Sequence, residues 1–435
     1  MLLILAVALL VRLAVVVLYA HEPGGTPDPA FYWNAGANIA EGNGYRSPAG
    51  DLTAYFPPGY PYFLGGLMAA IEAIGLANVG ASAIGAAQAL LGTATVLLVI
   101  LTGRLLGGSA VGLAAGAIVA LWPNLIAYSA AFLSETLFVA LFALFLYATA
   151  RMVIATQAGW RWTLLAAGTL GAATLVRPQV LVAVPALVLA WLIAGIGWRR
   201  TVLWALALTA GTVVVVAPWA ARNATVFGAV VPVSTNGGVN LCIGFSSQAW
   251  GGFHLSPDCV IAESYSQGSE SELANDRILS AAALDWIARN PEEIPFLSIR
   301  KLRYTYWPDN DGLQGIESYG ASPIISTQIR PALELTGNVF YAFIALLAVA
   351  GFAVTTVRCT RDRTGQKVGW LILTLTLSGA LIPVLVFGDP RFKVPVTPLL
   401  AILAGVAVVT GARRLRADRG EATETVEAPR RTVAS

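Results

Sequence analysis

The chain predicts an all-α polytopic membrane protein of about ten transmembrane helices, with juxtamembrane helices and one large extracytoplasmic segment. Three observations predict it. Of 435 residues, 57% are hydrophobic and only 12% charged, against about 25% charged in a water-soluble domain. Lipid must therefore be the solvent for most of the surface, in keeping with a mean hydropathy of +0.70. The apolar residues fall in runs of about 20, the length that crosses a hydrocarbon core about 30 Å thick. Lys and Arg avoid these runs and gather between alternate ones. The net charge of +3 is small, and no basic patch is interleaved with aromatics, which argues against a nucleic-acid partner.

The first run, "LLILAVALLVRLAVVVLYA", reads as a retained transmembrane helix. It has no basic flank, which also leaves open a start further upstream. It carries Arg12 inside, and "HEPGGTP" after it is a poor cleavage site. Candidate spans are 2–20, 81–103, 109–127, 131–150, 161–176, 178–197, 201–220, 334–356, 367–387 and 393–411.

The basic loop residues set the orientation. They are Arg104, then Arg151 and Arg161, then Arg199 and Arg200. Arg358, Arg361, Arg363 and Lys367 follow, and finally Arg413, Arg414, Arg416 and Arg419. Two spans separate each group from the next, so all lie on one face, the cytoplasmic one. Both termini then lie inside, and segment 221–333 lies outside. The apolar stretch 61–77 holds Glu72 and follows the helix-breaking "YFPPGYP". A juxtamembrane or re-entrant helix there keeps loop 21–60 outside. The organisation is an N-terminal transmembrane module 1–220, containing loop 21–60 and helix 61–77. The extracytoplasmic segment 221–333 and the C-terminal transmembrane helices 334–411 come next. The tail 412–435 is poor in apolar residues and is expected to be disordered.

Three cysteines, Cys242, Cys259 and Cys359, and two distant histidines, His21 and His254, make no zinc or haem motif. Cys242 and Cys259 share the outside segment, where a disulfide and two free thiols are both open. No phosphate-binding P-loop appears.

Polar groups at membrane depth are costly and usually face a cavity. Here they sit at the outer ends of several spans. Asp28 opens the first outside loop, "TPDPAFYWNAGANIAEGNGYRS". Glu135 lies in "AFLSETLF" and Arg177 in "LVRPQV". Arg222 and Asn223 lie in "APWAARNATVFG". Asp389, Arg391 and Lys393 lie in "FGDPRFKVPVTP". Other readings stay open. Asp28 also suits the N-cap of a helix over 29–41, with Pro29 at its first position. The arginines could anchor at the interface, although such anchors belong mostly on the cytoplasmic face. Phe31, Tyr32 and Trp33 also suit an interfacial aromatic belt.

Taken in order, these motifs resemble the membrane glycosyltransferases of the C-type fold. More narrowly, they are similar to the protein-mannosyltransferase and aminoarabinose-transferase superfamily, which uses polyprenyl-phosphate sugars. "DPAFYWNAGANIAEGNGYRS" resembles that family's acidic first loop, and "AYFPPGYPYF" its "PPGYP" segment. "LSETLF", "LVRPQ", "PWAARN", "VSTNGGVNL" and "RFKVPVTPLL" follow in the expected sequence. Pro29 stands where many relatives have a second acid, and Arg391 where some have His.

The resemblance implies transfer of one sugar from a polyprenyl-phosphate donor to a protein, glycan or lipid acceptor. The site would lie on the extracytoplasmic face of the plasma (inner) membrane, and the anomeric centre would invert. An acceptor hydroxyl needs a general base, for which Asp28 is the first choice and Glu135 the second. Arg177, Arg222, Arg391 and Lys393 are candidates for the donor phosphate. Tyr32, Trp33, Tyr45 and Tyr55, with Phe31, could stack on the sugar or the lipid neck. The Gly-rich "STNGGVNLCIGF" could bring backbone amides close to an anion. No cofactor is required, and no metal site is assigned, although a divalent metal stays open. The competing readings are a flippase or transporter of the lipid-linked sugar, and a polymerase or ligase of lipid-linked oligosaccharides. No internal repeat of the kind transporters show is visible.

Overall fold

The computed structural model describes residues 1–26, 28–155, 159–259 and 268–426. The chain opens with α1 (Leu2–Tyr19), then α2 (Asp28–Ala40) and α3 (Gly59–Ala73). These last two pack on each other. At 13 and 15 residues they are roughly 20 and 22 Å long, too short to cross a bilayer core of about 30 Å. The reading of 61–77 as a helix that does not span is thus consistent with a helix that already ends at Ala73. α2 stops where Gly42 and Gly44 take left-handed backbone, both at φ 80°, a conformation that favours glycine.

α4 (Gly80–Gly107) and α5 (Ser109–Ala120) form a tight antiparallel pair. A Cβ at Gly112 would overlap the carbonyl of Ile100, so small residues set this approach, as in other membrane helix pairs. α5 stops because Pro123 follows Trp122 and opens the short α6 (Pro123–Ala127). The orphan carbonyls at its end meet Arg12 of α1. The guanidinium donates to Val119 O at 3.1 Å, Ala120 O at 3.2 Å and its own Ala8 O at 3.0 Å. That accounts for a fully buried arginine in an apolar helix.

α7 (Glu135–Ile154) is largely enclosed by its neighbours and packs on α8 (Gly159–Val176). α8 ends before Arg177-Pro178, and a 3₁₀ turn over Pro178–Val182 leads into α9 (Ala183–Ile193). α10 (Trp198–Phe227) carries Pro218 inside it. Segment 221–333 holds α11 (Gly237–Gly244), α12 (Gly268–Arg289), α13 (Ile294–Tyr306) and α14 (Asp311–Ile316). Its small core of Tyr55, Val239, Ile243, Leu279 and Phe387 surrounds a Cys242–Cys259 disulfide with Cα atoms 5.7 Å apart. The pairing left open by the sequence is therefore the disulfide.

α15 (Arg330–Arg361), α16 (Lys367–Ser378), α17 (Leu381–Leu385) and α18 (Thr397–Val426) complete the bundle. α15 and α18 touch where a Cβ at Gly351 would overlap the Leu403 carbonyl. Among the described residues, seven helical stretches are long and apolar enough to cross a membrane: α1, α4, α7, α10, α15, residues 367–385 and residues 390–418. All seven coincide with expected spans. The other three expected spans are α5 with α6 and the 178–193 stretch, where prolines interrupt the helix, and α8, which is long enough but is diluted by Gly, Thr and Arg161. The tail departs from expectation. Helix α18 runs on to Val426, because its Ala, Arg and Glu residues are strong helix formers even without an apolar face. Residues 427–435 of the expected disordered tail lie outside the described residues.

Candidate functional site

Three chain breaks bring the site together. α2 begins at Asp28, so this carboxylate sits in the first helical turn, where the helix dipole favours an acid. α7 begins at Glu135 in the same way. The third break is the 3₁₀ turn Pro390–Val396, capped by Asp389, whose carboxylate accepts from the Arg391 amide at 2.8 Å.

Arg391 joins the other two. Its Nη1 donates to Asp28 Oδ2 at 2.5 Å and its Nε to Glu135 Oε1 at 2.5 Å. The same Glu135 oxygen accepts from Arg177 Nη2, while Arg177 Nε donates to Ser134 Oγ at 2.9 Å. Arg177 can reach inward because its backbone is extended, at φ −150°, between α8 and Pro178. Four sequence-predicted residues thus form one chain of ion pairs, Asp28–Arg391–Glu135–Arg177.

The predicted aromatics line the same region. Tyr32 is buried edge-on to Phe56 and Tyr60, with ring centroids 5.2 and 5.3 Å away. Burial, and Asp28 beside it, push the Tyr32 phenol well up. Phe31 lies 4.8 Å from Phe56, and Trp33 lies 5.0 Å from Phe132. Tyr45 donates to Phe56 O at 2.9 Å. Tyr55 packs in the disulfide core of the outside segment.

Two predicted cations go elsewhere. Arg222 donates to Thr53 O at 2.8 Å, Tyr45 O at 3.1 Å and Asn223 Oδ1 at 3.0 Å, with its guanidinium 4.8 Å from the Trp219 ring centre. It fastens loop 21–60 to α10. Lys393 is fully buried. It pairs with Asp309 at 3.2 Å and donates to Thr305 O at 3.2 Å and to Pro308 O. Those three contacts use all three ammonium donors, so none is left for a phosphate. The expected anion at the Gly-rich stretch is internal: the Gly238 amide donates to Asp276 Oδ1 at 2.6 Å.

Sequence reasoning missed Asp311, which lies within electrostatic reach of Arg391. Asp311 is buried and accepts from the Tyr128 hydroxyl at 2.6 Å and the Tyr319 hydroxyl at 3.3 Å. Burial, and the neighbouring Asp389, push the Asp311 carboxyl up to about 7. Ser318 and Tyr319 hold left-handed backbone at φ 48° and 54°, a costly conformation for such residues. From this backbone the Tyr319 phenol reaches the Asp311 carboxylate. Glu272 was also missed. It accepts from Thr53 Oγ1 at 2.7 Å, the Ala54 amide at 3.0 Å and Thr235, clamping loop 21–60 to the outside segment. Nothing local marks these residues: Tyr128 lies 183 positions from Asp311, and Thr53 lies 219 from Glu272.

Comparison with known proteins shows the fold. Residues 56–221 match the dolichyl-phosphate-mannose-protein mannosyltransferase family. No curated protein sequence matches the chain. Among solved structures it resembles the archaeal oligosaccharyltransferase AglB from Archaeoglobus fulgidus in complex with an inhibitory peptide and a dolichol-phosphate. The TM-score is 0.55 at 15% identity, over 99% of this chain and 52% of that one. The Archaeoglobus fulgidus oligosaccharyltransferase tethered to an acceptor peptide gives 0.58 at 13% identity, over 96% and 50%. ArnT from Cupriavidus metallidurans bound to undecaprenyl phosphate gives 0.48 at 16% identity, over 93% and 59%. The chain spans about half the length of the oligosaccharyltransferases it matches. The fold is that of the C-type membrane glycosyltransferases. Within that fold, residues 56–221 are similar to the mannosyltransferase family.

Proposed function

We propose that the protein transfers a single sugar from a polyprenyl-phosphate donor to an acceptor at the outer face of a plasma (inner) membrane, with inversion. The observation that carries this reading is the ion-pair chain Asp28–Arg391–Glu135–Arg177. It puts a partly exposed carboxylate against a cation pair where four helical elements meet. Asp28 takes the proton of the acceptor hydroxyl, and the freed oxygen attacks the anomeric carbon. The bond from that carbon to the donor phosphate breaks, and its electron pair stays on the phosphate oxygen. Arg391 and Arg177 stabilise the charge gathered there. Arg222, bound to loop 21–60, and Lys393, with all three donors used, have no part in this reading. No metal or cofactor enters it.

An apolar cavity of about 560 Å³ supports a lipid-borne donor. Tyr306 and Trp307 of the outside segment, Tyr341, Ala345 and Phe352 of α15 and Leu400 of α18 line it, and it suits a prenyl chain. The test gives purified protein a radiolabelled polyprenyl-phosphate monosaccharide and a membrane extract. Label on a new acceptor is the expected result, and Asp28→Asn abolishes it without lowering expression. Lipid that only changes leaflet points to a flippase, and activity confined to lipid-linked oligosaccharides points to an oligosaccharyltransferase. Either outcome removes the single-sugar reading.

A further inference from the structure

The contact between Asp28 and Arg391 carries a consequence for how the site is switched on. In this structure the carboxylate assigned as base is spent on the guanidinium assigned to the phosphate. A carboxylate oxygen held in a charge-assisted bond of 2.5 Å faces the guanidinium and is not presented to an acceptor hydroxyl. The two partners of Arg391 are not equivalent. Glu135 is 1% exposed and also holds Arg177, so it is fixed in place. The Asp28 side chain is 29% exposed and has Arg391 as its one salt-bridge partner among the described residues. Asp311 and Asp389 lie close enough to act on Arg391 as well. With Asp28 in place, an entering phosphate meets four acids and two arginines.

We propose that the donor phosphate competes with Asp28 for Arg391, so that donor binding releases the base. This rests on the donor-phosphate reading above. A phosphate oxygen takes over the Nη1 donors, Glu135 keeps Nε, and the Asp28 carboxylate turns free toward the acceptor. Without donor, the base stays quenched and the exposed carboxylate activates neither acceptor nor water. Binding is ordered, with the donor first.

The test is equilibrium binding of a polyprenyl phosphate carrying no sugar to the full chain in lipid nanodiscs. Asp28→Asn keeps the side-chain size and removes the competing charge, and it binds this lipid on the order of tenfold tighter than wild type, the scale of one close charge pair. Asp28→Glu retains the charge and binds within about twofold of wild type. The gain from Asp28→Asn disappears in the Arg391→Ala background. Thermal unfolding of each variant checks that the fold is kept. Asp28→Asn binding no tighter than wild type, while Arg391→Ala still weakens binding, overturns the competition and leaves the donor site standing. Equal tightening by Asp28→Glu also overturns it. Unchanged binding in Arg391→Ala overturns both the competition and the donor site.

Discussion

Replacing Glu135 by Gln tests whether this residue is the keystone of the site. Glu135 is buried and accepts from both Arg177 and Arg391. Removing one partner of a buried ion pair costs about 3–5 kcal/mol, because a charge is left unpaired. The amide oxygen of Gln can still accept, and a bond from a charged donor is worth about 1.5–3 kcal/mol. Only one arginine can use it well, since the amide nitrogen now faces the other. A net loss of about 3 kcal/mol is expected, roughly a hundredfold in the folding equilibrium. The assay is denaturant unfolding in mild detergent, run as a double-mutant cycle with Arg177→Met. The two changes should couple by at least about 1 kcal/mol, as groups in one network do. High salt should leave the coupling largely intact, since buried pairs are weakly screened. Additivity within about 0.5 kcal/mol, or an Asn-like indifference of Glu135→Gln to unfolding, would refute the keystone role.

Arg12→Met strands the Val119 and Ala120 carbonyls in an apolar core and should cost about 1–3 kcal/mol; an unchanged unfolding midpoint counts against that cap. Asp311 makes stability depend on pH. Its carboxyl titrates at about 7 in the folded protein against an ordinary 3.8, so its stabilisation is full below about pH 4, falls as pH rises toward 7 and is flat above. Asp311→Asn should flatten the thermal midpoint over that window, and an identical pH profile in the variant removes the assignment. Cys259→Ser opens a loop closed at a separation of 17 residues, worth about 3 kcal/mol on the chain-entropy scale. Faster proteolysis of the outside segment, with bundle unfolding unaltered, is expected; equal proteolysis contradicts it.

Much of the site was legible because charge at membrane depth is rare. Asp28, Glu135, Arg177 and Arg391 stood out against apolar surroundings, and the structure gathers all four. Arg222 and Lys393 stood out for the same reason, yet they satisfy backbone carbonyls and Asp309 instead. Asp311 and Glu272 lie in the polar outside segment, where an acid is commonplace and carries no signal.

The sequence by itself determined the class of molecule. Run length and composition decide which segments suit lipid, and neither needs a tertiary contact. Only the tertiary structure decided which charges meet. Asp28 and Arg391 are 363 positions apart, and Glu135 and Arg391 are 256 apart. A desolvated charge pairs with whatever complementary group the packed helices bring nearest. That choice depends on where α2, α7 and the 390–396 turn end in space, and spacing along the chain does not encode it.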